Sequence, residues 1–154
     1  MELTWIKAKY SELTVAQLYD LLYLRNEVFI VEQRAAYLDL DRGDQISMHL
    51  MGYNGDTLVA YCRIFRTGDK YPDDGCIGRV VVNPNYRGLS IGDTLLEKAI
   101  TLHNEFNGSG ESIKISAQLH LRHFYEKHSF YKISTSYQED NIPHIAMRRN
   151  AVIG

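Results

Sequence analysis

The residues best suited to chemistry follow the β-branched run Ile77–Val82, which predicts a buried strand. A glycine-containing turn then leads into apolar residues at helical spacing, which predict a helix over about Leu89–Phe106. Such a strand–turn–helix directs unpaired backbone N–H groups and the positive end of the helix dipole at one point, where phosphates bind well. Gly88 and Gly92 let a ligand approach the main chain, and Arg87 adds a permanent positive charge. The segment predicts either an anion site or a strand–turn–helix with ordinary turn glycines.

The spacing excludes two nucleotide-binding motifs. A Walker loop requires a Gly-Lys-Ser/Thr tripeptide, and the chain contains none. A Rossmann turn requires the pattern GxGxxG, whereas the residues from Gly88 to Gly92 give GxxxG.

The motif instead resembles one of a known superfamily. Arg87–Gly92 resembles the (Gln/Arg)-x-x-Gly-x-(Gly/Ala) acetyl-coenzyme A motif of the GNAT N-acetyltransferase superfamily, with Ser90 at the fourth position, where glycine is usual. Phe124–Phe130 is similar to the superfamily's Phe-Tyr-Glu-Lys-x-Gly-Phe segment, again with serine at the usual glycine. Three further segments resemble the ElaA-like subfamily, namely Leu24–Gln33, Tyr37–Asp41 and Ile142–Met147. These segments cover nearly the whole chain in the right order, so together they are more specific than one motif.

The resemblance implies an α+β fold in one domain over residues 1–154, with a GNAT-like mixed, mostly antiparallel sheet that has a central splay and is flanked by helices. It implies that acetyl-coenzyme A (acetyl-CoA) lies in the splay as the acetyl donor. Tyr125 matches the position that often protonates the departing thiolate. The implied pantetheine contacts are the main chain of Val80, Val81 and Val82, and the implied pyrophosphate contacts are Arg87, Gly88, Leu89, Ser90, Ile91, Gly92, Asp93 and Thr94.

Patterns elsewhere in the chain also predict an α+β fold with a mixed sheet. Thr14 and Gln17 form a capping box that opens a helix. Asn54-Gly55 lies between two apolar runs and predicts a hairpin. The other expected elements are a strand over Thr4–Ala8, a helix through Phe29, a loop over Ala35–Ser47, strands over Met48–Tyr53, Thr57–Arg66 and Ser112–Ala117, a helix over His120–Lys127, and strands over Phe130–Tyr137 and Ile142–Met147.

Acyl transfer from a thioester to an amine needs a base for the amine and an acid for the thiolate. A tyrosine hydroxyl, with an ordinary pKa of about 10, is a suitable acid. Histidine titrates near neutral pH and is a suitable base. The candidates for the base are Glu32, His49, His120 and His144, or a water relayed by backbone carbonyls, and we rank His144 and His49 first.

Two charged residues are candidates for binding the acceptor substrate. Arg25 lies on the apolar stripe of the first predicted helix, and Glu32 follows seven residues later, on the same face if the helix continues. Arg25 could extend its charged end to solvent, bind an acidic substrate group, or pair with Glu32 or Asp39. We favour the pairing, and keep Arg25 and Glu32 as candidate substrate-binding residues.

The composition limits the partners and the compartment. The 17 Lys and Arg against 19 Asp and Glu give a net charge of −2, which argues against a nucleic-acid-binding surface. No apolar run approaches the ~18 residues of a membrane helix, and a signal pattern is lacking, so we expect a cytoplasmic protein that does not bind a membrane. Cys62 and Cys76 have no CxxC spacing and are expected to be buried thiols. The acidic stretch from Asp39 lacks the EF-hand glutamate at position twelve, which is Leu50, so we expect no metal.

The leading hypothesis is an N-acetyltransferase that moves the acetyl group of acetyl-CoA directly to a small-molecule or protein amine in a ternary complex. The alternative is a non-catalytic module that binds acyl-CoA and senses it. Acyl-homoserine-lactone synthesis ranks third, because Arg25-x-x-Val28-Phe29 faintly resembles those enzymes but no adenosylmethionine site can be located. The chain could also form a homodimer, because edge strands of the predicted C-terminal hairpin could pair with those of a second copy.

Overall fold

The computed structural model describes residues 1–108 and 110–151. The strands are β1 (Thr4–Lys9), β2 (Met48–Asn54), β3 (Thr57–Phe65), β4 (Cys76–Val82), β5 (Ile113–Gln118), β6 (Tyr131–Lys132), β7 (Tyr137–Glu139) and β8 (Ile142–Arg149). The α-helices are α1 (Val15–Arg25), α2 (Ile91–Asn107) and α3 (Arg122–Glu126), and a π-helical turn, Asn26–Glu32, extends α1.

The first four strands form an antiparallel sheet in the order β1-β2-β3-β4. The predicted hairpin is confirmed, since Asn54 pairs with Thr57 and Gly55 has the positive φ of 60° that a tight turn requires. Every residue of β3 after Thr57 is buried, because helices cover both faces of the sheet. Apart from Arg63, this strand is therefore a run of apolar residues rather than an alternating pattern.

The remaining strands form a second antiparallel sheet in the order β5-β8-β6, with β7 also paired to β8. The single strand predicted over Phe130–Tyr137 is wrong, because β6 and β7 are separate short strands. Between them, the Ser134 hydroxyl accepts a hydrogen bond from the Ala146 amide at 3.0 Å. A side chain thus replaces a backbone carbonyl in the ladder, which interrupts the strand.

The two sheets meet at one point and then separate. A parallel bridge joins Gly75 to Ile113, with the Gly75 amide donating to Ser112 O and the Lys114 amide donating to Gly75 O, both at 2.9 Å. Beyond this bridge, β4 is the edge of one sheet and β5 the edge of the other. The expected mixed, mostly antiparallel sheet with a central splay is confirmed. A side chain at Gly75 has no room, because a Cβ there would lie 1.8 Å from His103 Nε2.

Helices α1 and α2 pack on opposite faces of the first sheet. The predicted capping box of α1 is confirmed, because the Gln17 amide donates to Thr14 Oγ1 and the Thr14 amide to Gln17 Oε1, both at 3.0 Å. Helix α2 buries Leu95, Leu96 and Ala99 in the larger core, which includes residues of both sheets. Among the described residues, no helix is both long and apolar enough to cross a membrane.

Candidate active site

A cavity of about 470 Å³ lies where β4 and β5 diverge, and we call it the β4–β5 cleft. Its two walls are the residues of β4 from Ile77 to Val82 and those of β5 from Ile115 to Gln118. Val80, Val81 and Val82, predicted as cofactor contacts, all line it. Beyond the bridge at Gly75, the edge of β4 that faces the cleft has no neighbouring strand. An edge strand offers unpaired N–H and C=O groups to an extended ligand.

The N-terminus of α2 lies at one end of this cleft. Ser90 precedes the helix in the left-handed region (φ 59°, ψ 20°), and its side chain makes no capping hydrogen bond. The first amides of the helix are therefore left without an N-cap partner, as an anion site requires. Gly92 lines the cleft, and a Cβ there would be 3.5 Å from the Phe124 ring. Gly88 has a φ of 80°, which glycine adopts without strain.

The remaining predicted pyrophosphate residues differ in what they can offer. The side chain of Ile91 is buried in the core and that of Leu89 is exposed, so only their main chain is suited to an anion. The Thr94 amide donates to Ser90 O at 3.4 Å, so it belongs to the helix ladder. Thr94 is therefore the weakest member of the predicted set.

Asp93 places a carboxylate beside an expected anion site, but its charge is compensated. Its Oδ1 lies 2.8 Å from His128 Nε2 and 3.1 Å from Lys127 Nζ. The hydrogen bonds from these two side chains hold the pKa of Asp93 below its usual value. This contact fastens the segment that follows α3 to the start of α2, so the two predicted motifs lie side by side.

Arg87 and Glu32 meet across the mouth of the cleft. Arg87 Nη2 and Nη1 donate to the two Glu32 carboxylate oxygens at 2.8 and 3.1 Å. Both residues line the cleft, and both side chains are more than 40% exposed. Because exposed ion pairs contribute little free energy, an anionic ligand can readily take Arg87 from Glu32.

Tyr125 lies inside the cleft wall with its hydroxyl available. The residue is 7% exposed, and its ring packs edge-on against Phe124 and Phe130, with centroids 5.1 and 5.7 Å away. Its hydroxyl makes no hydrogen bond with any described residue, although the side chain lines the cleft. Burial raises the pKa of Tyr125, so the phenol stays protonated and remains a donor at neutral pH.

His144 also lines the cleft and has a defined orientation. Its Nδ1 donates to the Ile142 carbonyl at 2.7 Å, so Nε2 carries the lone pair when the ring is neutral. Glu139 Oε2 lies 3.3 Å from this Nε2 and can stabilise a proton there. Glu139 was not predicted from the sequence, yet the turn at Asp140-Asn141 indicates it. Both turn residues have positive φ, as a two-residue hairpin turn requires, and this register pairs Glu139 with Ile142.

The structure does not support His49 as the base. His49 is fully buried and absent from the cleft lining, and both ring nitrogens are occupied, by Tyr61 Oη at 2.7 Å and Asp44 O at 2.8 Å. Burial lowers the pKa of His49, so the neutral ring is a structural hydrogen-bonding group. The other candidates, His120 and Glu32, line the cleft and are exposed.

Arg25 is likewise not placed to bind a substrate. It is fully buried, and it donates through Nε to Asp39 Oδ2 at 2.8 Å and through Nη1 to Asp44 Oδ1 at 2.6 Å. The favoured pairing with Asp39 is therefore present, whereas Glu32 pairs with Arg87 instead. Arg25 belongs to a set that we call the arginine–aspartate cluster, made of the buried residues Arg25, Arg63, Asp39 and Asp44 and the more exposed Arg79 and Asp41.

Within residues 1–108 and 110–151 there is no group of histidine, cysteine or carboxylate side chains arranged to hold a metal ion. The aspartates of the Ala35–Ser47 loop are engaged by arginines. Hydrogen bonds from Arg63, for example, hold the pKa of Asp41 well below its usual value.

Residues 8–151 match the family described as Acetyltransferase (GNAT) domain. This chain belongs to the GNAT acetyltransferase family. It is 38% identical over 151 residues to protein ElaA of Escherichia coli. The aligned region covers 96% of this chain and 97% of that protein. The crystal structure of E. coli ElaA matches with a TM-score of 0.89 at 37% identity, over 96% of this chain and 99% of that one.

Two other solved structures extend this comparison. An acyl-CoA N-acyltransferase from Pseudomonas aeruginosa matches with a TM-score of 0.90 at 36% identity, over 96% of this chain and 99% of that one. The PaiA N-acetyltransferase from Thermoplasma acidophilum, in complex with coenzyme A, matches at 14% identity and a TM-score of 0.67, over 97% of this chain and 99% of that one. At this identity, the likeness to PaiA shows a shared fold.

GNAT proteins use an acyl-CoA, and the residues of the β4–β5 cleft fit such a molecule. The free edge of β4 suits an extended amide-containing arm, and the uncapped start of α2 suits a diphosphate. The side chain of Tyr125 lines the same cleft, and its hydroxyl has no hydrogen-bond partner among the described residues.

Proposed function

We propose that this chain is an acetyl-CoA-dependent N-acetyltransferase that transfers the acetyl group directly to an amine in a ternary complex. The observation that carries this proposal is the Tyr125 side chain, which is buried in the wall of a cleft between two free strand edges and whose hydroxyl has no hydrogen-bond partner among the described residues. A proton donor held in this way is suited to a leaving group that forms inside the cleft.

Two parts of the cleft would hold the donor. The main chain of Val80–Val82 pairs with the pantetheine arm in the manner of an added strand. Arg87 leaves Glu32 and joins the amides of Gly88–Asp93 around the pyrophosphate. The complex of PaiA with coenzyme A supports the binding of coenzyme A by a protein of this fold.

His144 would prepare the amine for attack. An alkyl amine has a pKa of about 10.4, so it enters as an ammonium and must lose a proton before it can attack. His144 Nε2 takes this proton, since its Nδ1 is fixed as a donor to Ile142 O. The carboxylate of Glu139, 3.3 Å away, then stabilises the positive charge on the ring.

Tyr125 would complete the transfer. The amine nitrogen forms a bond to the thioester carbonyl carbon, the carbon–sulfur bond breaks, and the Tyr125 hydroxyl gives its proton to the departing thiolate. The acylated nitrogen releases its surplus proton to solvent and the Tyr125 phenolate regains a proton from solvent, so that a neutral amide and a thiol are the products. Transfer without an acetyl-enzyme is supported by the two cysteines, because neither lines the cleft and both are buried. Burial also raises the pKa of both thiols, that of Cys76 to about 11, which keeps them from acting as nucleophiles.

A panel of amines tests this proposal. Diamines, amino-acid amides, aminoglycosides and lysine peptides are each incubated with the protein and saturating acetyl-CoA. Free thiol is recorded against a control without amine, and the product is identified by mass. We expect thiol release to rise with at least one amine and the product to gain one acetyl group. Tight acetyl-CoA binding with no thiol release above the control for any amine would contradict catalysis.

A further inference from the structure

Strand β4 contains a bulge at the wall of the cleft. Gly78 pairs with Arg63 and Val81 pairs with Tyr61, so two residues of β4, Arg79 and Val80, stand opposite one residue of β3. Both of these residues line the cleft. The bulge thus removes from the ladder the stretch of main chain that faces the ligand.

The main chain of Arg79 is strained in this bulge. Its φ is 51°, in the left-handed region. This region costs a residue with a Cβ about 1–2 kcal/mol, and arginine has no short side chain to stabilise it locally. Some other contact must therefore hold this conformation.

The side chain of Arg79 makes that contact with Asp39. Arg79 Nε donates to Asp39 Oδ1 at 2.8 Å, and Nη2 donates to Asp39 O at 3.0 Å. One arginine thereby grips both the side chain and the main chain of Asp39, which is 5% exposed. The contact links β4 to a residue 40 positions earlier in the chain.

Asp39 is itself fixed by Arg25 at the end of α1. Arg25 Nε donates to Asp39 Oδ2 at 2.8 Å, and Arg25 Nη2 donates to Asp39 O at 3.1 Å. Both carboxylate oxygens of Asp39 and its carbonyl are therefore engaged by two arginines. Since Arg25 is fully buried, the series from α1 to Asp39 to Arg79 is rigid.

We infer that Arg79 is a positioning residue: through Asp39 and Arg25 it holds the β4 bulge in the shape that receives the thioester end of acetyl-CoA. This inference rests on the proposed function, because acetyl-CoA is the ligand. Without the bulge, the residues after Gly78 slip by one position, which turns their side chains to the other face of the sheet. The diphosphate end of the ligand lies at α2 and does not depend on the bulge.

Two substitutions at the same position separate backbone from side chain. Arg79→Ala and Arg79→Gly both remove the guanidinium, but only glycine adopts positive φ without strain. The binding of acetyl-CoA and of adenosine diphosphate is measured by calorimetry for each variant and for the wild type. We expect Arg79→Ala to weaken acetyl-CoA binding about five- to thirtyfold, which is the strain converted to affinity. Arg79→Gly should recover most of this loss, and neither variant should change diphosphate binding.

A third variant tests the contact without altering residue 79. Asp39→Asn weakens the hold on Arg79, and it should reduce acetyl-CoA affinity while leaving diphosphate affinity unchanged. In Arg79→Gly the same change should have no further effect on acetyl-CoA affinity, because the bulge no longer depends on Asp39. Thermal unfolding of each variant is measured to check that the variant protein is folded.

If Arg79→Ala and Arg79→Gly weaken acetyl-CoA binding equally, the inference is overturned. The guanidinium would then affect binding through its own contacts and not by holding the main chain of residue 79. Unchanged acetyl-CoA affinity in Arg79→Ala would overturn it as well. Both results leave the proposed function intact because the wild type binds acetyl-CoA. If the wild type itself binds no acetyl-CoA, the proposed function and the inference both fail.

Discussion

Two groups of polar side chains lie near β4 and differ in how completely they are paired. In the arginine–aspartate cluster, each of the three carboxylates accepts hydrogen bonds from an arginine, at 2.6–2.9 Å. In the cleft, by contrast, the Tyr125 hydroxyl has no hydrogen-bond partner among residues 1–108 and 110–151, and His144 has a nitrogen whose near neighbour is a half-exposed carboxylate. One buried atom of the cluster, Arg63 Nε, has no hydrogen-bond partner among the described residues. For the other groups, the difference separates residues that hold the structure from residues with bonding capacity left for a substrate. Charge and burial alone do not make this separation.

The largest effect that this comparison predicts is on stability. Asp44→Ala leaves two fully buried arginines, Arg25 and Arg63, short of a carboxylate, and should lower the free energy of unfolding by about 3–5 kcal/mol. Urea denaturation measures this loss. The exposed pair Lys7–Glu105 supplies the control, because Glu105→Ala should change stability by less than about 0.5 kcal/mol. Similar small losses in both variants would remove the cluster's structural role.

Two buried tyrosines differ in the same way, because one has a hydrogen-bond partner and the other has none among the described residues. Tyr125→Phe removes a hydroxyl with no described partner, so stability and acetyl-CoA affinity should persist while turnover falls about 100-fold or more. Tyr61→Phe removes the hydroxyl that bonds His49, so it should lower stability by about 1–3 kcal/mol and leave turnover unchanged. Steady-state kinetics and urea denaturation of both variants measure the contrast. Wild-type turnover in Tyr125→Phe would exclude this residue from proton transfer.

The pH dependence of the free energy of unfolding tests the burial of His49, whose two ring nitrogens are both hydrogen-bonded. Burial lowers the pKa of His49 in the folded state, so the unfolded chain binds this proton more readily. The free energy of unfolding should therefore fall as pH drops below about 6.5, by up to about 1.4 kcal/mol per pH unit, with no contribution from His49 well above that pH. His49→Gln should reduce this slope, and the exposed His123→Gln should not. Equal slopes in both variants would contradict the burial argument.

The smallest predicted effect concerns the two serines at usual glycine positions. Ser90 and Ser129 have φ of 59° and 69°, which explains why glycine is usual there. Ser90→Gly should raise stability by about 1 kcal/mol or less and keep acetyl-CoA affinity, because relieved strain is partly offset by unfolded-state entropy. The reverse change at the end of α2, Gly108→Ala at φ 75°, should lower stability by a similar amount. Thermal unfolding compares them, and destabilisation by Ser90→Gly would argue against strain at this turn.

Short-range features could be predicted from the sequence because their partners lie a few residues apart. The Thr14–Gln17 capping box and the Asn54-Gly55 hairpin are of this kind. The central splay was predicted from the resemblance, which depends on motifs within single segments, and so were the residues proposed to bind the cofactor. The capping box, the hairpin and the splay together describe much of the fold.

The pairing partners could not be predicted, because they lie far apart in the chain. Arg79 meets Asp39 across 40 residues, and Arg87 meets Glu32 across 55. His49 and His144 are both buried histidines on strands, and only their contacts show that one has two occupied nitrogens and the other faces the cleft. Deciding between structure and chemistry therefore requires the three-dimensional neighbours of each side chain.

The most direct test of the account is a calorimetric titration of the wild-type protein with acetyl-CoA, beside dephospho-CoA and adenosine diphosphate. If the free edge of β4 receives the pantetheine arm, acetyl-CoA should bind at least about tenfold more tightly than the diphosphate, equivalent to about 1.4 kcal/mol. Dephospho-CoA should keep most of this gain, since it retains the arm. Equal affinity for acetyl-CoA and the diphosphate, or no acetyl-CoA binding at millimolar concentration, would contradict the β4–β5 cleft as the acyl-CoA site.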